Sequence, residues 1–287
     1  MKKSNITEKF MSGIFTICGL TALAFVILIT AFLLVSGIPA IKEIGIIKFI
    51  SGKVWSPTSA SPEYGILPFI ASSVLGTLGA IVIGVPIGLM CAIYLSKFAP
   101  RRMSSVIRTA VELLAGIPSV VYGLVGMIII VPAVRNIFHL PDGANLFSAI
   151  IVLAVMILPS VISVSETAIK AVPKEYEEGS LALGATKTET VFRVTVPAAK
   201  SGILASVVLG IGRAIGEAMA VMMVSGNTAN MPKLFGSVRF LTTAVASEMS
   251  YSSGLQRQAL FSIALVLFIF ILIINVILNT VVKRKRG

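Results

Sequence analysis

Residues 202–224, GILASVVLGIGRAIGEAMAVMMV, form a run of apolar and small residues that carries Arg213 and Glu217 near its middle. A helix of that length rises about 35 Å, which is enough to cross the roughly 30 Å hydrocarbon core of a bilayer. A charged side chain at the centre of such a helix costs roughly 2.5–3.5 kcal/mol on insertion scales. The run therefore predicts a membrane-spanning helix whose two charges serve a purpose.

The composition of the whole chain supports this interpretation. Of its 287 residues, 56% are hydrophobic and 13% are charged, and the mean hydropathy is +0.98. Soluble domains are far less apolar, and barrel strands would appear as alternating segments of about ten residues. We therefore expect an all-α integral membrane protein with six transmembrane helices, at about residues 14–36, 68–96, 106–132, 147–171, 202–224 and 259–282.

The net charge of +12 is distributed in a way that indicates orientation rather than nucleic-acid binding. Sixteen Lys and Arg residues fall on the side of the two termini and of the second and fourth linkers, and seven fall on the other side. Basic residues are enriched in cytoplasmic loops, so both termini of this multi-pass membrane protein are expected in the cytoplasm. The first span is interpreted as an uncleaved anchor because it is long for a signal core.

The spans divide the chain into three parts. Residues 1–67 are expected to form an anchor helix with an external loop at 37–67, and residues 68–282 the main transmembrane domain. Residues 283–287 form a basic cytoplasmic tail. In the second span a small residue recurs at every fourth position, which predicts a helix-packing seam (Ser72, Gly76, Ala80, Gly84, Gly88, Ala92 and Ser96).

The fifth span has a small and polar stripe. Arg213 and Glu217 are four residues apart, and Ser206 and Gly210 continue the same face of a regular helix. Such a face is expected to line a bundle interior or an aqueous path, where Arg213 would bind an oxyanion and Glu217 would be its counter-charge. The alternative is a static ion pair that fixes helix packing.

The fourth linker, 173–197, is long and carries mixed charges with a break at Gly184. By itself it fits either an amphipathic surface helix or a lever for a cytoplasmic partner. Glu178, Gly184 and the ending at 194–197 have the spacing of the EAA loop of ABC-importer permeases, which this linker resembles. The resemblance implies that a coupling helix contacts an ATP-hydrolysing subunit through Glu178, Ala182, Leu183 and Gly184.

The same linker contains GSLALG at residues 179–184, whose two glycines are spaced as in a phosphate-binding loop. Such a loop needs a lysine followed by Ser or Thr, and Ala185 stands at the lysine position before Thr186. We therefore expect a chain that is not an enzyme and that holds no cofactor or metal, with ATP and magnesium bound by a partner subunit.

Several segments resemble the C-type permease of the bacterial high-affinity phosphate importer: GRAIGEAMAV at 212–221, ELLAGIPSVVYG at 112–123, LALGAT at 181–186 and QALFSIALVLF at 258–268. The resemblance implies a type I ABC importer permease for inorganic phosphate. It also implies a homologous A-type permease, two ATP-binding subunits and an external phosphate-binding protein as partners. A permease for sulfate or molybdate, or an ATP-independent anion carrier, remains the alternative.

Overall fold

A computed structural model describes the backbone of residues 2–284 and the side chains of residues 8–277 and 280. Residues 285–287 of the predicted basic tail lie outside the described residues. The described part of the chain is mostly helical and contains one small antiparallel hairpin. Its elements are α1 (Lys2–Ile44), α2 (Ile46–Ser51), β1 (Trp55–Ser56), β2 (Glu63–Tyr64), α3 (Leu67–Ile93), α4 (Arg101–Gly116), α5 (Ser119–Val125), α6 (Val131–Ile137), α7 (Leu146–Lys170), α8 (Lys174–Ala182), α9 (Lys187–Thr190), α10 (Val196–Ala198), α11 (Lys200–Gly216), α12 (Met219–Val224), α13 (Leu241–Glu248) and α14 (Gly254–Arg284).

Three short π-helical turns interrupt these helices, at Tyr94–Phe98, Gly126–Ile130 and Val191–Thr195. Within the described residues, five helical segments are long and apolar enough to cross a membrane. A sixth is counted if Lys187–Ala198 and Lys200–Gly216, which meet at 69°, make one crossing.

The predicted third span, 106–132, is placed differently in the structure. The amphipathic helix α4 ends at Gly116, and the apolar segment that is long enough to cross runs from Ser119 to Ile137. Pro118 explains the difference, because the residue before a proline disfavours the α conformation. Ile117 is accordingly extended, with φ −70° and ψ 128°.

Helix α7 is the centre of the bundle, and the small-residue stripe of α3 packs along it. A Cβ on Gly84 would lie 2.7 Å from Ile157 Cδ1, and a Cβ on Gly88 would lie 2.8 Å from Val161 Cγ1. Six of the seven predicted seam residues are buried, and Ser96 is half-buried. The seam therefore joins two helices of the same chain.

The fifth predicted span, 202–224, runs antiparallel along α7 but is built from two helices. Gly202 lies beside Ala168 near one end of α7, and Gly226 lies beside Ala144 just before its other end. Helix α11 forms the first part of this predicted span and α12 forms the last part, with Glu217 and Ala218 between them.

The two ends of the bundle differ. One end, the hairpin side, carries α2 and the antiparallel pair β1–β2, so the predicted external loop 37–67 contains ordered structure. Trp55 Nε1 donates to Glu248 Oε2 at 3.2 Å, and Arg239 forms an ion pair with the same carboxylate. The other end, the α8 side, carries α8 and α9. On the outside of the bundle α1 packs against α14, where Ser262 Oγ donates to the carbonyl of Gly37 at 2.6 Å.

Candidate functional site

The predicted helical pair of Arg213 and Glu217 does not form. Helix α11 ends at Gly216, and Glu217 is extended with φ −72° and ψ 129°. Its carboxylate instead accepts the N–H of Ala220 at 3.0 Å, and its carbonyl accepts the Thr242 hydroxyl at 2.7 Å. Glu217 therefore caps the start of α12. The prediction that both charges share one helix face is wrong, because the chain leaves the helix between them.

Arg213 lies in the last turn of α11, just before the break, and has no carboxylate partner among the described side chains. Four ion pairs occur among the described side chains, and none of them includes Arg213. The side chain is half-buried and lies within electrostatic range of the Tyr122 hydroxyl, which donates to the carbonyl of Leu114 at 2.7 Å. A guanidinium is always charged at physiological pH, so this cation has donors available for an anion.

Two broken helices meet beside this cation. Helix α5 begins directly after the break at Ile117 and Pro118, and it packs against α12, which begins directly after the break at Glu217. A Cβ on Gly123 of α5 would lie 2.8 Å from Cα of Ala220 on α12. Irregular backbone inside a membrane is tolerated where it is buried in protein or lines a water-filled cavity. The arrangement therefore suits a polar path at this depth.

The structure places Ser206 and Gly210 elsewhere. Ser206 is 0% exposed, and its hydroxyl lies 2.8 Å from that of Ser165 on α7. A Cβ on Gly210 would lie 3.3 Å from Val161 Cγ2, also on α7. Both residues form the contact between α11 and α7 inside this chain. Their assignment to a substrate path is therefore corrected to helix packing.

The predicted coupling residues are on the surface of the α8 side. No residue of α8 is buried, and Glu178, Ala182 and Gly184 are exposed. Leu183 is 91% exposed, which is unusual for a large apolar side chain in a charged linker. Gly184 has φ +89°, and its N–H donates to the carbonyl of Leu181 at 2.9 Å, so it ends the helix as a left-handed glycine.

Sequence reasoning missed the residues that hold α8 on the bundle. Glu177, on the inner face of α8, forms an ion pair with Lys97 and accepts the Thr195 hydroxyl at 3.2 Å. Ser180 Oγ lies 3.0 Å from Thr190 Oγ1. Lys97 and Thr195 both belong to π-helical turns. The sequence contained one signal of this inner face: Glu177 and Ser180 are three residues apart, and residues at that spacing share a face of a helix.

No group of three or more His, Cys, Asp and Glu residues in the described part of the chain is arranged to hold a metal ion. The structure thus offers two features with chemical meaning: an unpaired guanidinium between broken helices, and an exposed, anchored helix at one end of the bundle.

Comparisons with known proteins agree with this architecture. Residues 84–287 match the family described as binding-protein-dependent transport system inner membrane component. The probable ABC transporter permease protein YqgH of Bacillus subtilis is 40% identical over 91% of this chain and 88% of its own length. The phosphate transport system permease protein PstC of Haemophilus influenzae is 34% identical over 83% of this chain and 82% of its own.

Solved structures show the same fold at low identity. A bacterial alginate ABC transporter, solved with a periplasmic protein bound to an alginate pentasaccharide, is 15% identical and covers 93% of this chain and 91% of its own, with a TM-score of 0.61. The inward-facing methionine transporter MetNI is 19% identical over 77% of this chain and 94% of its own, with a TM-score of 0.56. The predicted permease fold of a type I ABC importer is confirmed. The chain is a multi-pass membrane protein that belongs to the family of binding-protein-dependent transport system inner membrane components.

Proposed function

We propose that this chain is a transmembrane permease subunit of an ATP-driven importer that moves inorganic phosphate across the bacterial cytoplasmic membrane. The observation that carries the proposal is the half-buried Arg213, which lies between two broken helices and has no carboxylate partner among the described residues. The relatives named phosphate transport system permease support phosphate as the substrate.

Arg213 is the transient partner of the anion in this mechanism. Its planar fork can donate two parallel N–H bonds to phosphate oxygens, which a lysine cannot do. Glu217 does not serve as the counter-charge of Arg213 on the same helix. By capping α12 it fixes the break that places Arg213 beside α5 and α12. The site should hold phosphate weakly, because equal tight binding in both states of the transporter would shift no equilibrium.

The partners follow from the family. A homologous A-type permease would complete the path, an external phosphate-binding protein would deliver substrate on the hairpin side, and two ATP-binding subunits would sit on the α8 side. The α8 side is then cytoplasmic, with both termini on that side. This chain itself is non-catalytic and binds no cofactor, and ATP with magnesium belongs to the partner subunits.

Coupling would occur through α8 and the residues that follow it. The exposed Leu183, with Glu178 and Ala182, forms the surface that contacts the ATP-binding subunit. The ion pair between Glu177 and Lys97 then transmits movement of α8 to the end of α3, because Lys97 lies in the π-helical turn that continues this helix. Rigid-body movement of this kind is a common form of transporter switching.

The substrate is tested by reconstitution. The chain is placed in liposomes with its permease and ATPase partners and the binding protein, and uptake of radiolabelled phosphate is measured with and without ATP. Excess sulfate or molybdate should leave uptake nearly unchanged. Strong competition by either anion would assign the chain to another oxyanion, and uptake without ATP would indicate a carrier.

A further inference from the structure

A polar cleft of about 470 Å³ opens on the α8 side between α4 and the end of α7. It adjoins a second cavity of about 220 Å³ that is lined by several of the same residues. The larger cleft combines cations with hydroxyl groups in its walls: Arg101, Arg108, Lys170, Ser96, Ser104, Ser105 and Thr109. Neither the proposed import path nor the coupling surface uses these residues.

The cations of the cleft outnumber the carboxylates that face them. Glu166, whose side chain is only 10% exposed, lies 2.5 Å from Arg108 and 2.8 Å from Lys170. Glu112 is the other carboxylate of the two cavities, and Arg101 is the third cation. Three cations and two carboxylates leave an excess of one positive charge.

Donors in the cleft remain unused. Arg108 Nε is buried and has no acceptor among the described atoms. The heads of Arg108 and Lys170 stay partly open to solvent beside Glu166. Ser104 and Ser105 line the cleft, and the hydroxyl of Thr109 is satisfied locally by the carbonyl of Ser105 at 3.1 Å. Clustered guanidinium, ammonium and hydroxyl donors are the groups that bind phosphate oxygens.

Helix α4 also has an apolar face directed away from the bundle. Met103, Val106 and Leu113 are exposed on it, and they share one side of the helix. An amphipathic helix with basic residues beside an exposed apolar stripe is typical of a segment that lies at a membrane interface. Lipid headgroups would then lie level with the mouth of the cleft.

We propose that the cleft between α4 and α7 binds a phosphate group, carried either by an anionic phospholipid headgroup or by free inorganic phosphate. The proposal is independent of import and of Arg213, because it rests only on the residues of this cleft.

The experiment compares two arginines of the same helical turn in the purified full-length chain. Arg101 lines the cleft, whereas Arg102 is exposed on α4 without lining it. Neither takes part in the four ion pairs of the described residues, so Arg101→Gln and Arg102→Gln should both fold. Equal melting temperatures of the two variants and the unchanged chain would confirm that both variants fold. Arg108 is avoided because its loss would leave Glu166 buried with one partner fewer.

Two assays separate the sources of the phosphate group. In nanodiscs of phosphatidylglycerol and phosphatidylcholine, native mass spectrometry measures how much phosphatidylglycerol stays bound to the released chain. In nanodiscs of phosphatidylcholine alone, equilibrium dialysis measures binding of radiolabelled orthophosphate. If Arg101→Gln alone retains less phosphatidylglycerol, the phosphate group belongs to a lipid headgroup. If Arg101→Gln alone binds less orthophosphate, the ligand is free phosphate.

We expect Arg101→Gln to weaken binding about tenfold or more in at least one assay, as is typical for the loss of a hydrogen bond to a charged group. Arg102→Gln should remain within about twofold of the unchanged chain. Equal behaviour of the two variants in both assays would overturn the proposal.

Discussion

The ion pair between Glu177 and Lys97 should determine how firmly α8 is held on the bundle. Both side chains are largely buried, at 25% and 15% exposure, and Glu177 also accepts the Thr195 hydroxyl. No residue of α8 is itself buried, so few other contacts hold this helix. Replacing Glu177 by Ala should therefore lower the free energy of local opening of α8 by about 1.5–3 kcal/mol, the usual range for hydrogen bonds to charged groups.

Hydrogen–deuterium exchange of the full-length chain in nanodiscs measures this directly. A loss of 1.5–3 kcal/mol corresponds to amide exchange in α8 that is about 10- to 150-fold faster, with little change in α7. The matched control is Glu178→Ala, one residue further on the exposed face, which should leave exchange of the isolated chain unchanged. If exchange in α8 of the Glu177 variant stays within about threefold of the unchanged chain, the ion pair does not anchor the helix.

Two further predictions concern glycines. Gly84→Leu should destabilise the chain by about 1–3 kcal/mol in thermal unfolding, because a Cβ at this position would lie 2.9 Å from the carbonyl oxygen of Ala154, and the backbone cannot move aside easily. Gly212→Leu is the control and should cost much less, because no atom lies within 4 Å of a Cβ there. Gly184→Ala should cost about 1–2 kcal/mol at the end of α8 because of its positive φ and should reduce the phosphate transported per ATP hydrolysed, whereas Gly179→Ala inside the helix should not. Equal effects within either pair of variants would contradict the packing or the turn on which they depend.

The apolar runs and the small-residue stripe were readable from the sequence because both follow from simple physics. A bilayer requires long apolar helices, and close helix contact requires small residues at a spacing of four. Residues such as Gly84 and Gly88 therefore identified the packing face of α3 without a structure. The partner helix, α7, could not be identified, since nothing in the stripe specifies what lies opposite it.

The breaks in the helices were harder to predict. Regular spacing placed Arg213 and Glu217 on one face, yet the helix ends at Gly216. A glycine that follows the last regular residue is a known stop signal, but it is weak inside an apolar run. The broken backbone is held by a local bond from the N–H of Ala220 to the Glu217 carboxylate and by a bond from Thr242, which lies 25 positions later in the chain.

The roles of Ser206 and Gly210 were also hidden from the sequence, because they depend on contacts with a distant part of the chain. A small and polar stripe is compatible with a polar path and with tight helix packing, and periodicity alone does not separate them. The pairing of Ser206 with Ser165 on α7 settles the matter, and it joins residues 41 positions apart. The anchoring of α8 through Lys97 was hidden for the same reason, because Lys97 and Glu177 are 80 positions apart.

The most direct test of the import mechanism is phosphate uptake by the Arg213→Gln variant in the reconstituted importer. We predict that uptake falls to background while the complex still assembles and the ATPase subunits remain bound, and that Arg102→Gln transports normally. Uptake at a near-normal rate by the Arg213 variant would show that this guanidinium is structural and would contradict the account.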